Sequence, residues 1–386
     1  MLLIKNGKIY TMAGEVIENG CILVQDGKIV EVAPHIDAPA DAEVIDAGGR
    51  MVIPGMIDAH CHLGMWETAI GFEGDDGNEM TSPVTAQLRA IDGINPMDKS
   101  FQEALEGGVT TACTGPGSAN VIGGTFVAMK TYGDRVDDMI IKEPVAMKCA
   151  FGENPKRVYN AQKKLPTTRM GTAAVIREAL MKAKRYLAAI EQAGDDMSKL
   201  PAFDMQSEAL LPVLRKEIPL KAHAHRADAI FTSIRVAREF AVNITLDHCT
   251  EGHLIAHHLA KEGLPAIVGP SFGHRTKYEL INKTFDTPGI LQRAGVKVAI
   301  CTDSPVNPLE SLPLMAGMAA AAGMDRMEAL KAITINAAEI IGIADRVGSL
   351  EPGKDADIVI YDGHPFQVEG KTWKVLVDGE VVFSRE

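Results

Sequence analysis

No two cysteines in this sequence stand as Cys-x-x-Cys. The six present, Cys21, Cys61, Cys113, Cys149, Cys249 and Cys301, are scattered singly, which suits free thiols in a reducing compartment better than a disulfide framework. No apolar run is long enough to span a bilayer. The opening MLLIKNGKIYTM has no long apolar core and no small-residue cleavage site, so it is expected to form a strand and a turn and not a secretory signal. Positive charge is in deficit. The 39 Lys and Arg against 51 Asp and Glu leave a formal net charge of -12, which argues against a nucleic-acid partner and against docking on anionic membrane lipid. No repeat of solenoid length is visible. No GxGxxG fingerprint follows the opening strand of the long middle segment, which weakens a dinucleotide-binding assignment. What remains is a cytoplasmic enzyme with a small-molecule substrate.

Hydrophobic residues make up 46% of the chain and charged residues 23%, the balance of an ordinary globular protein. With 386 residues the chain can bury one elaborated domain and a smaller one. Both ends are β-rich. LLIKNGKIYTM, GCILVQDGKIVEVAP and AEVIDAGGRMVIPG alternate with Asn-Gly and Asp-Gly turns. GSLEPGKDADIVIYDG and WKVLVDGEVVFSRE repeat the style at the other end. The economical arrangement is one small β-sandwich built from residues 1–53 and 345–386, with residues 54–344 inserted. The middle alternates apolar strands with segments of helical periodicity, which implies a parallel sheet covered on both faces. Eight βα units in about 290 residues match a (β/α)8 TIM-type barrel, with a doubly wound open sheet as the alternative.

In such a barrel the chemistry sits where the strands end, and one strand end after another carries a metal-ligand residue type. IDAHCH carries His60 and His62. AMKCAFGEN carries Lys148 and then Glu153. LKAHAH carries His223 and His225, TLDHC carries His248, and ICTDSP carries Asp303. Residues two apart in a strand share a face, so His60 and His62 are expected to point together into the barrel mouth. Any one of these residues alone is more often a satisfied core or turn residue. Jointly they point to a metal site, and imidazole with carboxylate suits zinc or another borderline divalent ion.

Five motifs resemble the amidohydrolase superfamily of metal-dependent hydrolases: PGMIDAHCH, GGVTTA, LDHCTE, CTDSP and VGSLEPGKDADIVIYDG. The resemblance covers essentially the whole chain and leans toward the imidazolonepropionase-like branch. It implies His60, His62 and Asp303 on one ion, and His223 and His248 on a second. Two zinc ions are implied, with manganese or iron as alternatives. Lys148 resembles the fourth-strand lysine that captures CO2 as a bridging carbamate, and Glu153 is its rival for that place. His225 competes with His223, and the ligand of the family directly follows the apolar strand residues, which favours His223. Asp303 is implied as general base and then general acid, acting with a metal-bound hydroxide on a carbon–nitrogen bond in an amide, a cyclic amide or an N-acyl or dipeptide substrate. Homo-oligomers are a family-level expectation.

Two other functions stand beside this one. A mononuclear deaminase of the same superfamily would show His-x-x-Glu at the fifth strand, but the third residue after His223 is Arg226. A catalytically silent barrel would have lost ligands, and all of the expected ones are present. Around the site, Arg226 could bind a substrate carboxylate bidentately. His225, His274 and Glu153 are further substrate-binding candidates. The long polar connections at 65–96 and after the fourth strand are candidate covers. His253, His257 and His258 lie on a helix expected to face solvent.

Overall fold

The computed structural model describes residues 1–68 and 71–385. Two of the residues in the candidate cover at 65–96, Ala69 and Ile70, lie outside the described residues. The two terminal segments form one eight-stranded sheet. Its N-terminal part (Leu2–Ile9, Ile17–Gln25, Lys28–Ala33, Glu43–Asp46 and Met51–Pro54) joins its C-terminal part (Ile358–Asp362, Lys371–Val377 and Glu380–Ser384) where Met51–Pro54 pairs antiparallel with Ile358–Asp362. Its core gathers Ile4, Ile22, Val52, Ile358 and Leu376, all fully buried. Gly55 separates this sheet from the next. A Cβ there would stand 2.0 Å from Thr110 Oγ1, so the close approach of the two chain segments requires glycine.

The middle of the chain forms a second eight-stranded sheet: Met56–Cys61, Val109–Thr114, Ile122–Lys130, Ile140–Ala150, Leu220–Ala224, Ile244–His248, Ala266–Val268 and Val298–Ile300, adjacent in that order. These are the eight strands expected from the sequence, and they form the barrel. One of them departs from the all-parallel expectation. The third strand, Ile122–Lys130, runs antiparallel to both neighbours. The reason is in its connections. Residues 115–121 and 131–139 are too short to carry a crossover helix, and a parallel neighbour needs a crossover of a dozen residues or more. All nine residues of this strand are buried, so reversal leaves its core role intact.

Reversal also sends Lys130 to the face of the barrel opposite the mouth. There its ammonium lies 2.6 Å from Asp357 and 3.0 Å from Asp355, both at the entry to the last part of the small sheet. Lys130, Asp355 and Asp357 are all buried, so this ion cluster ties barrel to sheet. The barrel seam is closed differently. The first and last strands share no ladder. Instead Thr302 donates from its backbone N and its hydroxyl to Asp58 Oδ2, at 2.8 and 2.7 Å, and His62 N donates to Ser304 O at 2.7 Å. Among the described residues no helix is long and apolar enough to cross a membrane.

Candidate metal centre

The first strand brings His60 and His62 to the barrel mouth, and the turn after the last strand brings Asp303 to meet them. His62 Nε2 is 3.2 Å, and His60 Nε2 3.5 Å, from Asp303 Oδ1. The remote nitrogen of each ring settles what faces inward. His62 Nδ1 is 2.6 Å from Gly115 O, and His60 Nδ1 is 2.7 Å from the Asp247 carboxylate. Both partners only accept, so His62 Nδ1 carries the proton, and the close Asp247 carboxylate favours the same tautomer in His60, although that contact is not aligned as a hydrogen bond; each Nε2 then presents a lone pair. Those lone pairs face a carboxylate oxygen that has no hydrogen-bond partner of its own. Lys148 Nζ, 3.2 Å from His60 Nε2, meets one of these acceptors, but His62 Nε2 and Asp303 Oδ1 still oppose each other, an arrangement that repels unless a cation lies between them.

The fifth and sixth strands supply a second cluster, His223, His225 and His248, whose ligand atoms lie within 4.8 Å of one another. His248 Nδ1 is 2.7 Å from Gly269 O, which again leaves the lone pair on Nε2. His225 Nδ1 meets Thr250 Oγ1 at 2.7 Å. The Nε2 atoms of all three rings are buried without a hydrogen-bond partner, a state that native interiors rarely leave unexplained. His248 has φ +70 and Asp303 φ +56. A left-handed backbone at non-glycine residues costs of order 1–3 kcal/mol each and clusters at functional sites.

The protonation states suit metal binding. Burial and the nearby Lys148 charge hold the His60 imidazole at about 3. Burial likewise holds His223 and His225 well below the usual imidazole range. Burial would raise the Asp303 carboxyl, but His248, His60 and His62 outweigh it and hold that group well below its ordinary value. Neutral imidazoles and an ionised carboxylate are the forms that ligate. The residues present therefore fit divalent ions at both clusters, and a metal site is what the two donor sets make.

A model of the amidohydrolase family matches residues 51–382, the stretch that holds every donor above. The chain belongs to the amidohydrolase family. A solved amidohydrolase from Thermotoga maritima MSB8 superposes with a TM-score of 0.97 at 42% identity over the full length of both chains. Amidohydrolase tasK of Hapsidospora irregularis is 30% identical over 95% of this chain, which spans only 40% of that longer protein. The imidazolonepropionase of Sphingopyxis alaskensis is 26% identical over 94% of this chain and 92% of its own. Fold and donor clusters together are those of a metal-dependent hydrolase of carbon–nitrogen bonds.

The other candidates occupy distinct places in this amidohydrolase. Lys148 is fully buried on the fourth strand, with Nζ 3.2 Å from His60 Nε2, and burial lowers its ammonium to about 8. Glu153 lies beyond that strand, in the helix Glu153–Ala161, where its carboxylate accepts from Glu279 N at 3.1 Å. The Arg226 guanidinium is paired bidentately with Asp228 of this same chain, at 3.1 and 3.2 Å. His274 is exposed, as are His257 and His258. His253 bonds Thr287 Oγ1 at 2.9 Å.

Three residues on the site escaped sequence reasoning. Asp247 orients His60 and lies 3.2 Å from the buried Lys221 ammonium. Asp58 holds His60 N at 2.9 Å while closing the seam, and its position two residues before His60 was a usable signal. Glu279, in the turn Tyr278–Leu280, reaches the histidine trio from a loop that no periodicity marks.

Proposed function

We propose that this amidohydrolase hydrolyses a small amide that carries a carboxylate, using two divalent ions. The observation that carries the proposal is a cavity of about 380 Å³ lined at once by His62 and Asp303 of the first cluster and His223 of the second. His60, His62 and Asp303 would hold one ion, and His223 and His248 the other. Zinc is the ion of choice for such imidazole and carboxylate donors, with manganese or iron as alternatives. Bound ions would supply Lewis-acid polarisation of the scissile carbonyl and acidification of water.

The chain's own groups do the rest. Asp303 Oδ1 has no hydrogen-bond partner. It accepts a proton from the attacking water and returns it to the leaving amine, so that water and amide become acid and amine. The Lys148 amine, at the barrel wall beside His60, takes up CO2 as a carbamate and releases one proton. Arg157 lines the same cavity, as does Lys277 beside the Glu279 carboxylate, and the Arg157 guanidinium supports an anionic group on the substrate. Trp66 closes another side, its ring 4.9 Å from that of His62. The imidazolonepropionase relatives support the branch of that name, and the six buried, unbridged cysteines support a cytoplasmic setting.

The test is a screen of zinc- or manganese-loaded protein against N-acyl amino acids, dipeptides and cyclic amides, each paired with its carboxamide counterpart. Turnover of carboxylate forms, lost in Asp303→Asn with the fold retained, is the expected result. Wild-type activity in Asp303→Asn would refute the proton role. Preference for the carboxamides would refute the substrate class.

A further inference from the structure

The histidine trio has a fourth neighbour that no strand end supplies. Glu279 is only 2% exposed. Its Oε1 lies 3.5 Å from His225 Nε2 and 3.6 Å from His223 Nε2, and both nitrogens lack a hydrogen-bond partner. These separations exceed the usual limit of an N–H···O bond, about 3.2 Å. They are the separation of two donors on one ion, since ligands about 2.1 Å from a tetrahedral centre stand roughly 3.4 Å apart.

The carboxylate is held in place by a purpose-shaped pocket. Glu153 N donates to Glu279 Oε2 at 3.0 Å, and Glu279 N donates to Glu153 Oε2 at 3.1 Å. A Cβ on Gly152 would stand 2.3 Å from Glu279 Oε2, so only glycine leaves the carboxylate room. With Oε2 fixed in this way, Oε1 is turned toward the histidines. Lys277 Nζ, 3.2 Å from Oε1, shares it, but an ion pair with Lys277 alone leaves the three imidazole nitrogens unpaired.

We infer that Glu279 is a further ligand of the second ion, sharing it with His223 and His225, and that Glu153 is a positioning residue for it. Imidazole and carboxylate donors together suit a borderline divalent ion. The assignment rests on the two-ion proposal above.

The experiment reads zinc affinity. Metal-free wild type and Glu279→Gln are titrated with zinc against a chromophoric chelator, with bound metal counted by mass spectrometry. Wild type is expected to take up about two equivalents. Glu279→Gln keeps the shape and removes the charge, and should hold the first equivalent unchanged while the second weakens roughly ten-fold or more. Gly152→Ala, which retains Glu279 but displaces it, should weaken the same equivalent and decides the matter if Glu279→Gln does not fold. Two equivalents in wild type, both held at unchanged affinity by the variant, overturn the ligand assignment alone. A wild type without a second equivalent overturns the two-ion proposal and the assignment with it.

Discussion

Asp58 closes the barrel by hydrogen bonds alone, and Asp58→Asn measures how much that closure stabilises. The carboxylate is fully buried and accepts three bonds: His60 N at 2.9 Å on one oxygen, and Thr302 N at 2.8 Å and Thr302 Oγ1 at 2.7 Å on the other. Asparagine keeps the shape but has one acceptor oxygen. If that oxygen takes the two Thr302 donors, the new amide N–H faces His60 N–H. If it takes His60, Thr302 N is orphaned, while the Thr302 hydroxyl can turn to accept from the new amide. An unsatisfied buried donor costs about 1–3 kcal/mol, and bonds to a neutral acceptor are weaker than the charge-assisted ones they replace. The expected loss is about 3 kcal/mol. At about 2.1 cal/mol/K of unfolding entropy per residue, 386 residues give roughly 0.8 kcal/mol/K, so Tm falls by about 4 °C if the chain melts as one unit. Urea unfolding of the metal-free protein is the assay, followed by fluorescence. Thr302→Val removes only the hydroxyl and should cost about 1 kcal/mol, and the double variant should lose less than the sum because the two share a bond. Strictly additive losses, or an Asp58→Asn midpoint equal to wild type, would refute this account of the seam.

Removing the cation that ties barrel to sheet should be at least as damaging. Lys130→Met leaves Asp357 buried without its 2.6 Å partner, an uncompensated charge worth about 3–5 kcal/mol in urea unfolding; a change below about 1 kcal/mol would contradict the assignment. A pH dependence follows from Asp228. Burial pushes its carboxyl up from 3.8, but Arg226 and Arg169 overcome this and hold it at about 2. A depressed carboxyl stabilises above its unfolded value, so this contribution is whole above about 4 and fades as pH falls toward 2. Asp228→Asn should therefore lose less stability than wild type between those values, and equal losses would show that the pair stabilises nothing.

The apolar runs and the period of two made the first strand legible. They placed all eight barrel strands, and they aligned His60 with His62. The direction of Ile122–Lys130 was not legible, because its residues read as a buried strand in either sense and only the shortness of the flanking connections decides. Strand alternation also misleads at the sixth strand. Asp247 and His248 are neighbours and should face opposite ways, yet both serve the site because His248 takes a left-handed backbone. Lys148 and Glu153 could not be placed relative to the site from sequence, because both follow the same apolar run. One lies in the barrel wall against His60, and the other starts the helix that directly follows the strand, bracing Glu279. Glu279 itself depends on how a long loop folds back, which no local pattern encodes.

Two donor clusters in one barrel mouth should each hold an ion if they form one hydrolytic centre. The most direct measurement is the metal content of protein reconstituted with zinc and freed of excess by gel filtration, counted per chain by mass spectrometry. About two equivalents per chain are predicted. A chain that retains one equivalent or none would contradict that reading.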